Sequence, residues 1–246
     1  MQGVQLMEIL VIALARSGHH AVIHWLCKQL PGRVAYYNNC NHLLQWRNKG
    51  VYSNGVKSST SHVYSFENFD ISGFREIKLN GRFDKIIFVN RDPYNWLASS
   101  MARGGALSKP KKLFRPSEKQ IKYLHYWGNS MTRLDMYVQY MKQCLNEEDY
   151  IGEPFYQINY NEWFSDKGYR KKLCDELGLI FSDEGMDHVP PRGSGSSFDG
   201  KKFRGRGSEM EVINRWKRLQ DNEEYRACLT DEIKEYSKKY FNFNPI

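Results

Sequence analysis

The chain has 246 residues, a formal net charge of +8 and 14% aromatic residues. That length suits one large domain with a sizeable core, and the aromatic content excludes a disordered chain. The basic surplus favours an anionic partner without choosing among nucleotide, nucleic acid, polyanionic sugar and membrane. Five scattered cysteines, Cys27, Cys40, Cys144, Cys174 and Cys228, include no C-x-x-C pair. They argue against a disulfide framework or zinc site and for a reducing compartment. No apolar run approaches the ~20 residues of a membrane span. The run from Ile9 lacks the basic flank of a signal peptide. The expectation is a soluble, cytoplasmic protein without a membrane partner.

The unbroken apolar run from Ile9 to Leu14 predicts a buried parallel strand. A polar turn follows, Arg16-Ser17-Gly18-His19-His20. Then Val22, Ile23, Trp25, Leu26 and Leu30 recur at helical spacing until Pro31-Gly32. Strand, small-residue turn and helix together aim the amides and positive end of the helix at an anion. Arg16 adds a fixed charge, Ser17 a hydroxyl, and Gly18 lets a phosphate-like group approach the backbone. The turn reads as a phosphate or sulfate cradle. A turn of purely geometric purpose, which any α/β protein needs, is the alternative.

Arg33 to Tyr37 predicts an edge-like strand, and residues 38–62 a loop or short hairpin anchored by Leu43, Leu44 and Trp46. Val63 to Glu67 reads as a strand, Arg75 to Leu79 as a weaker one, and Lys85 to Asn90 as a strong buried one. After Arg91, Asp92 can cap a helix with Pro93 at its first position, running from Tyr94 to about Ala102. Residues 103–116 form a basic, breaker-rich loop. Ser117 to Leu145 predicts a long helix interrupted near Gly128. Phe155 to Tyr160 is a strand, and a helix from Asn161 runs to Leu177-Gly178. Asp187 to Gly207 turns Gly/Ser-rich and basic, and helices at about 208–219 and 223–240 close the chain. Strands alternating with helices imply a largely parallel α/β sheet with ligands at the strands' carboxyl ends.

Two stretches, Ala15-Arg-Ser-Gly-His-His20 and Arg91-Asp-Pro-Tyr-Asn-Trp-Leu-Ala-Ser99, sit where buried strands meet helices, about 75 positions apart. With them the chain resembles the sulfotransferase family, whose donor is 3′-phosphoadenosine 5′-phosphosulfate. The family's 5′-phosphosulfate loop reads roughly Pro-Arg/Lys-Ser-Gly-Thr-Thr after a strand. Its 3′-phosphate motif has an Arg at a strand end and a Ser eight positions on, a spacing matched by Arg91 and Ser99. Gln157-Ile-Asn-Tyr-Asn-Glu-Trp163 and the helix Leu173 to Leu179 look like the family's later elements. The resemblance implies one domain over 1–246, a three-layer α/β sandwich with a mainly parallel central sheet, similar to P-loop NTPases.

It also implies a donor site of Arg16, Ser17, Gly18, His19, His20, Ala21, Arg91 and Ser99. Residues 192–207 resemble the family's basic Gly-rich segment folding over the 3′-phosphate, with Lys201 and Arg204 as its contacts and Arg192, Lys202 and Arg206 nearby. Ala15 replaces the usual Pro, and His19-His20 stand where Thr-Thr is common. Sulfuryl transfer needs neutralisation of charge on the bridging oxygen, a task for Arg16 and the helix amides. It also needs a base. Glu67 is the first choice, at the sheet's carboxyl edge, followed by His62 and His20; a helix-capping or solvent-facing Glu67 is the alternative. The Lys78 region, where some branches carry a catalytic His, offers none. No metal is expected.

A kinase is the natural competitor, but the cradle lacks the Gly-Lys-Ser/Thr ending of a Walker loop, and Gly195-Ser-Ser-Phe-Asp-Gly-Lys-Lys202 fails as one because Lys202 replaces the Ser/Thr. A non-catalytic polyanion binder is the third reading; nucleic acid is not expected as a partner. The acceptor reads as a hydroxyl or amine on a small molecule, carbohydrate or peptide, with segments 38–62 and 103–116 shaping its pocket.

Overall fold

The computed structural model describes residues 6–40, 60–75, 81–102, 132–189, 196 and 198–246. Five strands, β1 (Glu8–Ala13), β2 (Arg33–Tyr37), β3 (Thr60–Glu67), β4 (Lys85–Asn90) and β5 (Tyr156–Asn159), form one sheet in the order β2-β3-β1-β4-β5. Every pairing is parallel. Crossovers between parallel strands need helices, and these cover both faces.

Alternation along each strand sorts the core into two layers. Leu10 and Ile12 of β1 and Ile86 and Phe88 of β4 face one side. There they meet α2 (Pro93–Met101), α3 (Arg133–Cys144), α6 (Glu223–Cys228) and α7 (Asp231–Phe241). Ile9, Val11, Ile87 and Val89 face the other, against α1 (His19–Gln29), α4 (Tyr160–Ser165) and α5 (Lys167–Leu177). The result is the three-layer α/β sandwich expected.

Register decides what the layers hold up. Ala13 pairs with Glu67 on one side and Val89 on the other, and Asn90 pairs with Asn159. Four neighbouring strands therefore end level, delivering Glu67, the Arg16–Gly18 turn, Arg91 and Tyr160 to one edge.

Several boundaries differ from expectation. Of the predicted 117–145 helix, the described part begins at Arg133, where Thr132 and Asp135 form a capping box, each side chain bonded to the other's backbone N–H. The predicted 161–178 helix is two helices, broken where extended Asp166 caps α5. Residues 208–219 hold two short 3₁₀ turns, Gly207–Glu209 and Arg215–Arg218, in place of a helix. The last helix splits at Leu229-Thr230 because Thr230 caps α7. Most of the 38–62 loop, 103–116, residues 76–80 with Lys78, and Arg192 lie outside the described residues. Among the described residues no helix is long and apolar enough to cross a membrane.

Candidate active site

The turn after β1 is held by backbone bonds to side chains that sequence reading missed. Ala15 N–H donates to Asn68 Oδ1 at 2.9 Å, and Trp96 Nε1 donates to the Ala15 carbonyl at 2.8 Å. Arg91 Nη1 donates to the Arg16 carbonyl at 3.3 Å. Arg16 has a φ of 73° and Gly18 a φ of 87°. A left-handed arginine is uncommon and strained, and such strain gathers at functional sites. Gly18 starts α1 with no side-chain cap. Ala21 and Val22 N–H turn back to the Gly18 carbonyl, at 2.9 and 3.4 Å, so the part of the turn that suits an anion is the positive end of the helix ahead of Ala21. Ser17 and His19 are buried, while Arg16, His20 and Ala21 are half-buried.

Gly18 has a further role. A Cβ there would lie 2.6 Å from Cδ2 of Tyr160, 2.5 Å from Cζ and nearer still to Cε2. The close approach is taken by the Tyr160 ring, which also carries the Arg91 guanidinium 5.1 Å from its centroid.

Arg91 and Ser99 meet, with Nη1 donating to Ser99 Oγ at 3.0 Å. A second arginine, Arg215, donates to the same oxygen at 3.3 Å. Arg91 Nη2 also donates to the Val212 carbonyl. Both guanidiniums are buried, and both Nε atoms lack a hydrogen-bond partner. Burial, then Arg215, lower the Arg91 pKa to about 10. Burial likewise lowers Arg215, although Asp199 Oδ2 lies 3.1 Å away. Two buried like charges on one hydroxyl form a site whose energy falls when an anion arrives.

Arg215 is delivered by the 3₁₀ turn. Asn95 Nδ2 donates to the Ile213 carbonyl at 2.9 Å, and Trp216 N–H donates to Asn95 Oδ1 at 3.2 Å. Asn95 in turn is gripped by the helix-capping Asp92. Arg215 Nη2 donates to Ser196 Oγ at 2.6 Å, which ties in the 196–200 turn. Lys201 and Arg204 are exposed on that segment. The basic side chain that reaches Ser99 is thus Arg215, which comes from the 3₁₀ turn beyond this segment and is positioned by contacts with no local sequence signal.

Glu67 ends β3 beside the start of α1, its Oε2 3.6 Å from His19 Nε2 and 3.9 Å from His20 Nε2. Burial pushes its carboxyl above the usual range, with His20 and Arg133 pulling the other way. Burial lowers His19 to about 4. His62 lies at the opposite end of β3, 3.0 Å from Glu8 Oε1, and does not join the cluster.

No protein-family model and no curated protein matches the chain. Among solved structures, the sulfotransferase domain of the Synechococcus PCC 7002 olefin synthase aligns over 100% of this chain and 98% of that one. Its TM-score is 0.54 at 13% identity. The chain has the sulfotransferase fold. The mouse sulfotransferase SULT7A1, solved complexed with PAP, aligns over 96% of this chain and 88% of that one, with TM-score 0.46 and 13% identity.

Proposed function

We propose that this protein is a sulfotransferase that moves a sulfuryl group from 3′-phosphoadenosine 5′-phosphosulfate to a hydroxyl or amine acceptor. One observation carries the reading: two buried, incompletely bonded guanidiniums share Ser99 Oγ, and one of them also braces the uncapped turn that opens α1. A donor charged at both ends needs two such adjoining grips.

When bound, the donor supplies a sulfuryl group activated by its phosphate leaving group. Arg91, Ser99 and Arg215 suit the 3′-phosphate; the orphaned Nε atoms are donors in want of an acceptor. Arg16, Ser17 and the first amides of α1 suit the 5′ end, where they neutralise charge gathering on the departing oxygen. Glu67 takes the acceptor's proton, since its carboxyl is raised by burial and lies against the same turn. His20, half-buried beside it, orders that carboxylate. The basic 192–207 segment, with Lys201 and Arg204 exposed on it, offers further charge toward the donor. No metal enters these roles, and we place the enzyme in the cytoplasm as one domain.

Thermal unfolding tests the reading. A ligand at 100 times its Kd stabilises by ~2.7 kcal/mol, or roughly 5–10 °C for a chain of this size. The shift should appear with 3′,5′-bisphosphoadenosine without Mg²⁺, and be much smaller with ATP. Equal stabilisation by ATP, or a strict Mg²⁺ requirement, would turn the reading to a kinase. Stabilisation by heparin or RNA alone would leave a non-catalytic polyanion binder.

A further inference from the structure

Arg133 opens α3 where a cation is disfavoured, because the first turn of a helix is its positive end and suits an acid. The acid of that turn, Asp135, is engaged in the capping box: Thr132 N–H and Oγ1 donate to its Oδ2 at 2.8 and 2.7 Å. Arg133 is half-buried, and its Nε is buried without a hydrogen-bond partner. Glu67 Oε2 turns to the two histidines, and among the described residues no carboxylate forms an ion pair with Arg133. Burial lowers the Arg133 pKa, with Glu67 acting the other way. A half-buried guanidinium placed against a helix dipole and left unbonded is a donor group in want of an anion.

The course of α3 fixes where this side chain lies. At its far end Cys144 Sγ accepts from Asn90 Nδ2 at 3.0 Å, at the last residue of β4. Tyr140 OH donates to the carbonyl of Phe69, two residues past Glu67, at 2.8 Å. Tyr137 OH donates to the Arg91 carbonyl at 3.4 Å. Arg133 shares the helix face of Tyr137 and Tyr140 and lies one turn further from Cys144, so the helix carries it past the strand ends. The electrostatic neighbours of Arg91 are Arg215, Tyr160 and Asp92, whereas that of Arg133 is Glu67. Arg133 therefore stands on the side of the proposed base, apart from the guanidiniums assigned to the 3′-phosphate.

We infer that Arg133 is an acceptor-binding residue, and that the acceptor is a hydroxyl or amine compound carrying its own carboxylate. The inference rests on the sulfuryl-transfer reading, in which Glu67 takes the acceptor's proton. A planar guanidinium fork matches a carboxylate with two parallel N–H···O bonds. An acid docked there satisfies Arg133, complements the start of α3 and holds the accepting atom beside Glu67. The cation also stands between two acids, the substrate's and the base, and offsets the repulsion that an anionic substrate would otherwise meet. A neutral acceptor leaves the guanidinium as unbonded as it stands.

The test fills the donor's anion grips first. Protein saturated with 3′,5′-bisphosphoadenosine is titrated calorimetrically with benzoate and with benzamide, which match in size and differ in charge. Benzoate should bind at least about tenfold more tightly, as charge-assisted hydrogen bonds require. Arg133→Met should abolish that preference, and Arg133→Lys should restore part of it, since lysine keeps the charge without the fork. A purely structural Arg133 would leave the ratio of the two affinities where it was. Benzoate no tighter than benzamide in the native chain, or a preference that survives Arg133→Met, would overturn the inference, and the first of these needs no variant to fold. Failure of 3′,5′-bisphosphoadenosine to bind at all overturns the sulfuryl-transfer reading and this inference with it, whereas a bisphosphate-bound chain indifferent to benzoate overturns the inference alone.

Discussion

Gly18→Ala offers the sharpest probe of how the turn is built. The backbone there is left-handed, which costs an alanine ~1 kcal/mol. The new methyl would also sit 2.6 Å from Cδ2 of Tyr160 and closer to the rest of the ring edge, where carbon atoms normally stand ~3.5–4.0 Å apart. Forcing the ring aside is overpacking worth ~1–3 kcal/mol, so the whole cost is about 3 kcal/mol and the fall in Tm roughly 6–12 °C. In a Tyr160→Val background the offending ring atoms are gone and only the ~1 kcal/mol backbone cost persists, giving a coupling near 2 kcal/mol. Urea unfolding of the four proteins, followed by circular dichroism, measures this cycle. Because the ring also bears the Arg91 guanidinium, Gly18→Ala should weaken 3′,5′-bisphosphoadenosine as well. A Gly18→Ala cost below ~0.5 kcal/mol, or one undiminished by Tyr160→Val, would refute the packing argument.

Arg215→Met should weaken 3′,5′-bisphosphoadenosine about tenfold to a hundredfold, from one lost charged hydrogen bond of ~1.5–3 kcal/mol, and leave adenosine 5′-phosphate nearly unchanged. Calorimetric titration reads the difference, and equal losses for both ligands would remove the 3′-phosphate assignment. Glu67→Gln should cut turnover by ~10²–10⁴-fold while 3′,5′-bisphosphoadenosine still raises the Tm; retained turnover would move the base elsewhere. Burial raises the thiols of Cys27 and Cys144 to about 12 and those of Cys174 and Cys228 to about 11. At pH 8 at most ~0.1% of each is thiolate, so four of the five cysteines should resist an aromatic disulfide reagent until urea is added. Rapid native reaction of more than one thiol would contradict that burial.

The sequence by itself determined the elements whose signals lie within a few residues. The apolar run before Arg16 is β1, Lys85–Asn90 is β4, and Asp92-Pro93 opens α2 with the expected cap. The edge position of β2 followed from its weaker apolar pattern. Period and capping depend on near neighbours, so they are legible in one dimension. The 208–219 segment was misread because its course follows its contact with Asn95, more than a hundred residues earlier. Likewise the meeting of Arg215 with Ser99, of Tyr160 with Gly18, and of His19 and His20 with Glu67 has no local signal. Strand order and register bring those side chains to one sheet edge, and only the folded chain specifies which neighbours a buried charge must face.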